Sequence, residues 1–106
     1  MKEYTEQQQN DITWLKGLLQ PGDKVYGIVR RVSQSGMTRV IDLYIIKDSK
    51  PINISRETAR LLNYTEDKKD YGLRVSGCGM DMIFHLVYSL ANVLFQNGYS
   101  LKHEQL

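Results

Sequence analysis

Residues 24–47 read KVYGIVRRVSQSGMTRVIDLYIIK. β-branched and aromatic residues dominate both ends, and the stretch from Ser33 to Gly36 between them has the composition of a turn. The arrangement predicts a β-hairpin. In its second arm Ile41, Leu43 and Ile45 alternate with Val40, Asp42 and Tyr44, and the arm becomes apolar on both faces at Tyr44, Ile45 and Ile46. That pattern predicts a central strand covered on both sides.

On the N-terminal side, Thr5 and Gln8 have the spacing of a capping box, and Ile12, Leu15, Leu18 and Leu19 recur at helical intervals until Pro21-Gly22. An amphipathic helix is expected there, with Trp14 near the edge of its stripe, available to the core or to a partner chain. On the C-terminal side, Pro51 to Ile54 predicts a short strand. Ser55 is placed to cap a brief helix bearing Ala59, Leu61 and Leu62 that ends near Asn63. The polar run from Thr65 to Asp70 reads as an exposed loop before a strand from Tyr71 to Ser76. Met80, Ile83, Phe84, Val87, Leu90, Ala91 and Leu94 then fall on one helical stripe, closed by Gly98. Leu86 and Val93 widen that stripe, which suggests a subunit contact and hence a homo-oligomer. The tail from Tyr99 to His103 could return as an edge strand.

These elements predict an α+β fold, a small antiparallel sheet packed by an N-terminal helix and a long C-terminal helix. A chain of 106 residues, 42% apolar and 25% charged, suits one globular domain spanning residues 1–106. The single cysteine, Cys78, excludes an intramolecular disulfide framework and fits a reducing compartment. The polar start, MKEYTEQQQN, has no signal-like apolar run, and nowhere does the chain reach the roughly 20 apolar residues of a membrane span. A cytoplasmic protein is therefore expected. The net charge of +2 is small, yet Lys24, Arg30, Arg31 and Arg39 fall in a stretch without an acidic residue.

Two constellations carry possible chemistry. Arg30, Arg31, Ser33, Ser35, Gly36, Thr38 and Arg39 surround the hairpin tip, where hydroxyls, turn amides and guanidinium groups would suit a phosphate. The plain alternative is a solvated turn with ordinary surface arginines. The second, Gly77, Cys78, Gly79 and Asp81, runs from the predicted strand into the long helix, where exposed amides and the helix dipole favour an anion. Its plain alternative is a tight turn with Asp81 complementing the dipole. Neither a Walker loop nor a dinucleotide fingerprint is present, and no cofactor is expected. A Cys78–His85 dyad is disfavoured because seven helical residues separate them by roughly 10 Å of rise. Cys78, His85 and His103 lack zinc-type spacing, so neither a metal nor an enzyme is expected.

The segments RRVSQSGMTRVIDLYII and VSGCGMDMIFHLVYSL, followed by NGYSLKH, resemble a group of small proteins of bacteriophages and mobile elements with patterns such as SRSGMSR and GCGMDMGFHLVYSL. The likeness covers most of residues 24–103; Gln34, Thr38 and Ile83 stand where the pattern has Arg, Ser and Gly. It implies an accessory protein acting in the cytoplasm of a bacterial host, and by analogy one that counters host defence. The resemblance supplies no activity. The leading expectation is a non-catalytic sponge for a phosphate-bearing nucleotide signal. Its alternative is a protein-binding inhibitor of a host defence factor. Nucleic acid ranks third, since one short basic stretch offers few phosphate contacts.

Overall fold

The computed structural model describes residues 3–67, 72–76 and 81–106. Among them the elements run α1 (Glu6–Leu18), β1 (Lys24–Val32), β2 (Thr38–Lys47), β3 (Lys50–Asn53), α2 (Ser55–Leu62), β4 (Thr65–Asp67), β5 (Gly72–Ser76), α3 (Met82–Phe95) and β6 (Lys102–Gln105). The strands form one sheet in the order β4-β5-β2-β1-β6, with β3 paired to β2 beyond the end of β5. Every pairing is antiparallel except that of β1 with β6. The expected α+β architecture, with terminal helices packed on the sheet, is what the chain adopts.

β2 is central, and its pleat divides the molecule. Ile41, Leu43 and Ile45 point to one face and are no more than 2% exposed. Leu15 and Leu19 from the α1 end, Leu61 from α2, and Ile83, Leu86 and Leu90 from α3 join them in one cluster. All three helices therefore cover the same face of the sheet. The sequence predicted cover on both sides, and among the described residues only one side has it. On the other side Val40 and Asp42 are nevertheless buried, at 3% and 4% exposure. Arg30 reaches from β1 to Asp42 at 2.9 Å, so a charged side chain lies where further cover was expected. Arginine stems can shield apolar surface while the guanidinium stays wet.

Local chemistry explains most boundaries. Thr5 and Gln8 close a reciprocal capping box on α1. Asp48 and Ser49 take consecutive positive φ values, 51° and 64°, the geometry of a two-residue hairpin turn joining β2 to β3. α2 ends as expected at Asn63, in the left-handed conformation with φ 61°. Arg60 binds Asp11 through two nitrogens, each 2.8 Å from a carboxylate oxygen, and so ties α2 to α1.

Several expectations are corrected. Ser55 does not cap α2; it is the first helical residue, and its hydroxyl accepts the Leu43 amide of β2 at 2.8 Å. That bond buries a polar group usefully, which sequence patterns do not reveal. Thr65–Asp67 is a strand rather than a loop, because it finds a ladder partner in β5. The expected strand start at Tyr71 lies outside the described residues. Gln96, with φ 57°, is the left-handed residue ending α3, not Gly98. Gly98 answers to space, since a Cβ there would come within 2.4 Å of the Tyr88 ring. The tail becomes β6 slightly later than expected, and Tyr99 is left 76% exposed. Leu86 is buried and Val93 packs against the core, so the width of the α3 stripe is used within the chain and no longer argues for an oligomer.

Candidate functional site

The hairpin tip is built by its own side chains. The Ser33 amide donates to the Thr38 carbonyl at 2.8 Å, and the Gly36 amide to the Ser33 carbonyl at 2.9 Å. Ser33 Oγ accepts the Thr38 amide at 3.1 Å, and Ser35 Oγ accepts the Met37 amide at 3.3 Å. Gly36 has φ 76°, a conformation glycine adopts without steric cost. The amides of Gly36, Met37 and Thr38 are therefore already engaged. Loop N–H groups were expected to grip an anion; the hairpin turn uses these three on itself, and the expected donors at Gly77, Cys78 and Gly79 lie outside the described residues.

A β-bulge decides where the arginines go. The β1–β2 register runs Val29↔Ile41 and then Arg31↔Val40, so Arg30 has no residue opposite it. Both Arg30 and Arg31 consequently lie on the face away from the helices, Arg30 against Asp42 and Arg31 beside Val40. Gly72 of β5 makes room for this, since a Cβ there would meet the Arg30 guanidinium at 2.7 Å and Val40 at 2.5 Å.

Two clefts flank the hairpin. The outer one, on the open face, has a volume of about 260 Å³ and is lined by Arg31, Val32, Ser33, Thr38, Val40 and Arg74. The inner one, on the helix side, is about 470 Å³ and is lined by Val29, Val32, Gly36, Arg39, Asp81, Met82, Ile83 and Gln105. Strand alternation separates them, for Thr38 and Arg39 are neighbours and must face opposite sides. Thr38 also pairs with Ser76, which brings the end of β5 beside the hairpin tip.

The predicted site residues are thus brought to one end of the sheet but sorted between two faces. Arg31, Ser33 and Thr38 open outward; Gly36, Arg39 and Asp81 open inward. Arg30 lines neither cleft and is paired with Asp42. Ser35 is internal to the turn, its hydroxyl 3.2 Å from that of Ser33. Gly77, Cys78 and Gly79 lie outside the described residues. Asp81 caps α3, its Oδ1 accepting the Phe84 amide at 3.1 Å, while Oδ2 stands 3.8 Å from His103 Nε2. A carboxylate at that position does not favour a phosphate in the inner cleft. His85 packs edge-on to Phe84 at 5.7 Å between ring centres.

Sequence reasoning missed Arg74 and Gln105. Arg74 had one signal, its alternation with the buried Leu73 and Val75, but its neighbour Val40 comes from strand pairing that no local pattern specifies. No described helix is long and apolar enough to cross a membrane. No family model, no curated protein and no solved structure matches the chain.

Proposed function

We propose that the chain is a binding protein without turnover whose ligand carries a phosphate group, held in the outer cleft. The observation that carries this reading is the convergence of Arg31, Arg74, Ser33 and Thr38 on one cleft. Guanidinium groups give planar, charge-assisted contacts to phosphate oxygens, and the Thr38 hydroxyl adds a donor. Together with the likeness to phage and mobile-element proteins, this supports a role as a sponge for a phosphate-bearing defence signal in a bacterial cytoplasm. Calorimetric titration of the full chain with pyrophosphate and with linear and cyclic nucleotides tests it. Saturable heat for one of these is expected, and silence from all of them overturns the reading.

A second reading, an inhibitor that docks on a host protein, draws on Trp14, which is 41% exposed on α1. Purification from host lysate separates the two. A stoichiometric protein partner lost on Trp14→Ala favours the inhibitor, and a released ultraviolet-absorbing ligand favours the sponge.

A further inference from the structure

Val32 lines both clefts and stands 52% exposed between them. The chemistry on its two sides differs. The outer cleft presents two guanidinium groups and two hydroxyl side chains. The inner cleft has apolar walls from Val29, Val32, Met82 and Ile83, with Arg39, Asp81 and Gln105 as its polar groups. Its volume of about 470 Å³ falls within the usual range of small-molecule sites, which are likewise mostly apolar with a few convergent polar groups.

Charge decides what each side accepts. A phosphate dianion in the inner cleft would meet the Asp81 carboxylate, whereas the outer cleft presents it with the guanidinium groups of Arg31 and Arg74. A neutral planar ring suits the inner cleft. Apolar side chains can cover its faces, Arg39 can stack on it or donate to it, and the Gln105 amide can both donate and accept. Asp81 Oδ2, the oxygen not used to cap α3, can accept from a ring N–H or an exocyclic amino group.

Resting on the phosphate reading above, we infer that the two clefts form one bipartite site for a nucleotide. The phosphate sits with Arg31 and Arg74, the sugar crosses Val32, and the base enters the inner cleft. Base recognition then supplies an affinity increment that phosphate and sugar alone do not give.

The test is calorimetric titration of the full chain with inorganic phosphate, ribose 5-phosphate and the 5′-monophosphates of adenosine, guanosine, cytidine and uridine. At least one nucleotide should bind more tightly than ribose 5-phosphate by about tenfold or more, the scale of one good buried contact set. Arg39→Ala should erase that increment while leaving ribose 5-phosphate within about twofold, whereas Arg74→Ala should weaken every phosphate compound. Arg39→Gln, which keeps hydrogen-bond donors, should retain part of the increment, and circular dichroism establishes that each variant is folded. If ribose 5-phosphate binds as tightly as all four nucleotides, the base subsite is wrong and the phosphate reading survives. An increment that persists in folded Arg39→Ala also overturns the base subsite. If none of these compounds binds, both readings fall.

Discussion

Arg31 of β1 and Arg74 of β5 flank the same residue, since Val40 is the register partner of both. Two cations from different strands are thereby held on one face at a separation fixed by the sheet rather than by a flexible loop. Removing one should be felt in binding and hardly in folding. Arg74→Ala is expected to weaken the nucleotide found by titration roughly 10- to 100-fold, the effect of one charge-assisted hydrogen-bonding group. Arg74 is an exposed residue, so its loss should leave the denaturation midpoint nearly unchanged. Lys102→Ala, which removes another exposed cation, on β6, should alter binding by less than about twofold if the effect is local rather than a matter of net charge. Equal losses in the two variants would show that no discrete arginine site exists.

The hairpin, both terminal helices and the central place of β2 were legible because each depends on short-range periodicity and turn composition. The capping box at Thr5 and the alternation of Ile41, Leu43 and Ile45 are local signals with one structural answer. What escaped depends on pairing. Nothing within Thr65–Asp67 predicts a strand until β5 offers it a ladder. Ser55 looked like a cap because its role as acceptor for the Leu43 amide depends on where α2 packs against β2, which no local pattern specifies. The candidate site was legible as a location but not as an arrangement. A single unpaired residue, Arg30, sets Arg30 and Arg31 on the same face, and ordinary alternation would have divided them.

Gly27 lies directly beneath Ile83, where an added Cβ would come within 2.6 to 2.7 Å of three side-chain carbons. This contact sets the depth at which α3 sits on β1. Gly27→Ala should destabilise the fold by about 1–3 kcal/mol, because the core has to shift to admit a methyl group. Urea denaturation provides the measurement. Shortening the obstacle should relieve part of the strain, so the double variant Gly27→Ala with Ile83→Val should lose less than the sum of the single losses. Strict additivity would mean that the helix moves freely and the contact is not limiting.

The Asp11–Arg60 pair tests what joins the first two helices. Asp11 is 3% exposed, and its carboxylate oxygens accept from Arg60 Nε and one terminal nitrogen, with Gln7 Nε2 also donating at 3.1 Å. Arg60→Ala leaves a buried carboxylate with only the glutamine. A loss of about 2–4 kcal/mol is expected, somewhat below the figure for a fully buried pair because the guanidinium is partly wet. Asp11→Asn, which keeps an acceptor but no charge, should cost less. A double-mutant cycle with both residues changed to alanine should show coupling of about 1–3 kcal/mol, and coupling near zero would make the fork incidental.

Alkaline pH offers the last test, at Tyr44. Burial, and then the charge of Asp42, whose Oδ2 accepts the phenol at 3.3 Å, raise the Tyr44 hydroxyl above its ordinary value. A raised value means that the folded state holds the proton more tightly than the unfolded chain does. The resulting stabilisation is complete below the unfolded tyrosine value of about 10 and is lost as pH rises through the higher folded value. Lys24, held by hydrogen bonding and attraction to Glu104, is raised as well and weakens the fold in the same alkaline range. The two contributions separate in a comparison with Tyr44→Phe, which retains Lys24. The wild-type protein should lose stability relative to Tyr44→Phe as urea midpoints are taken from about pH 9 to about pH 11. Parallel curves across that interval would show that the Tyr44 phenol titrates alike in the folded and unfolded chain.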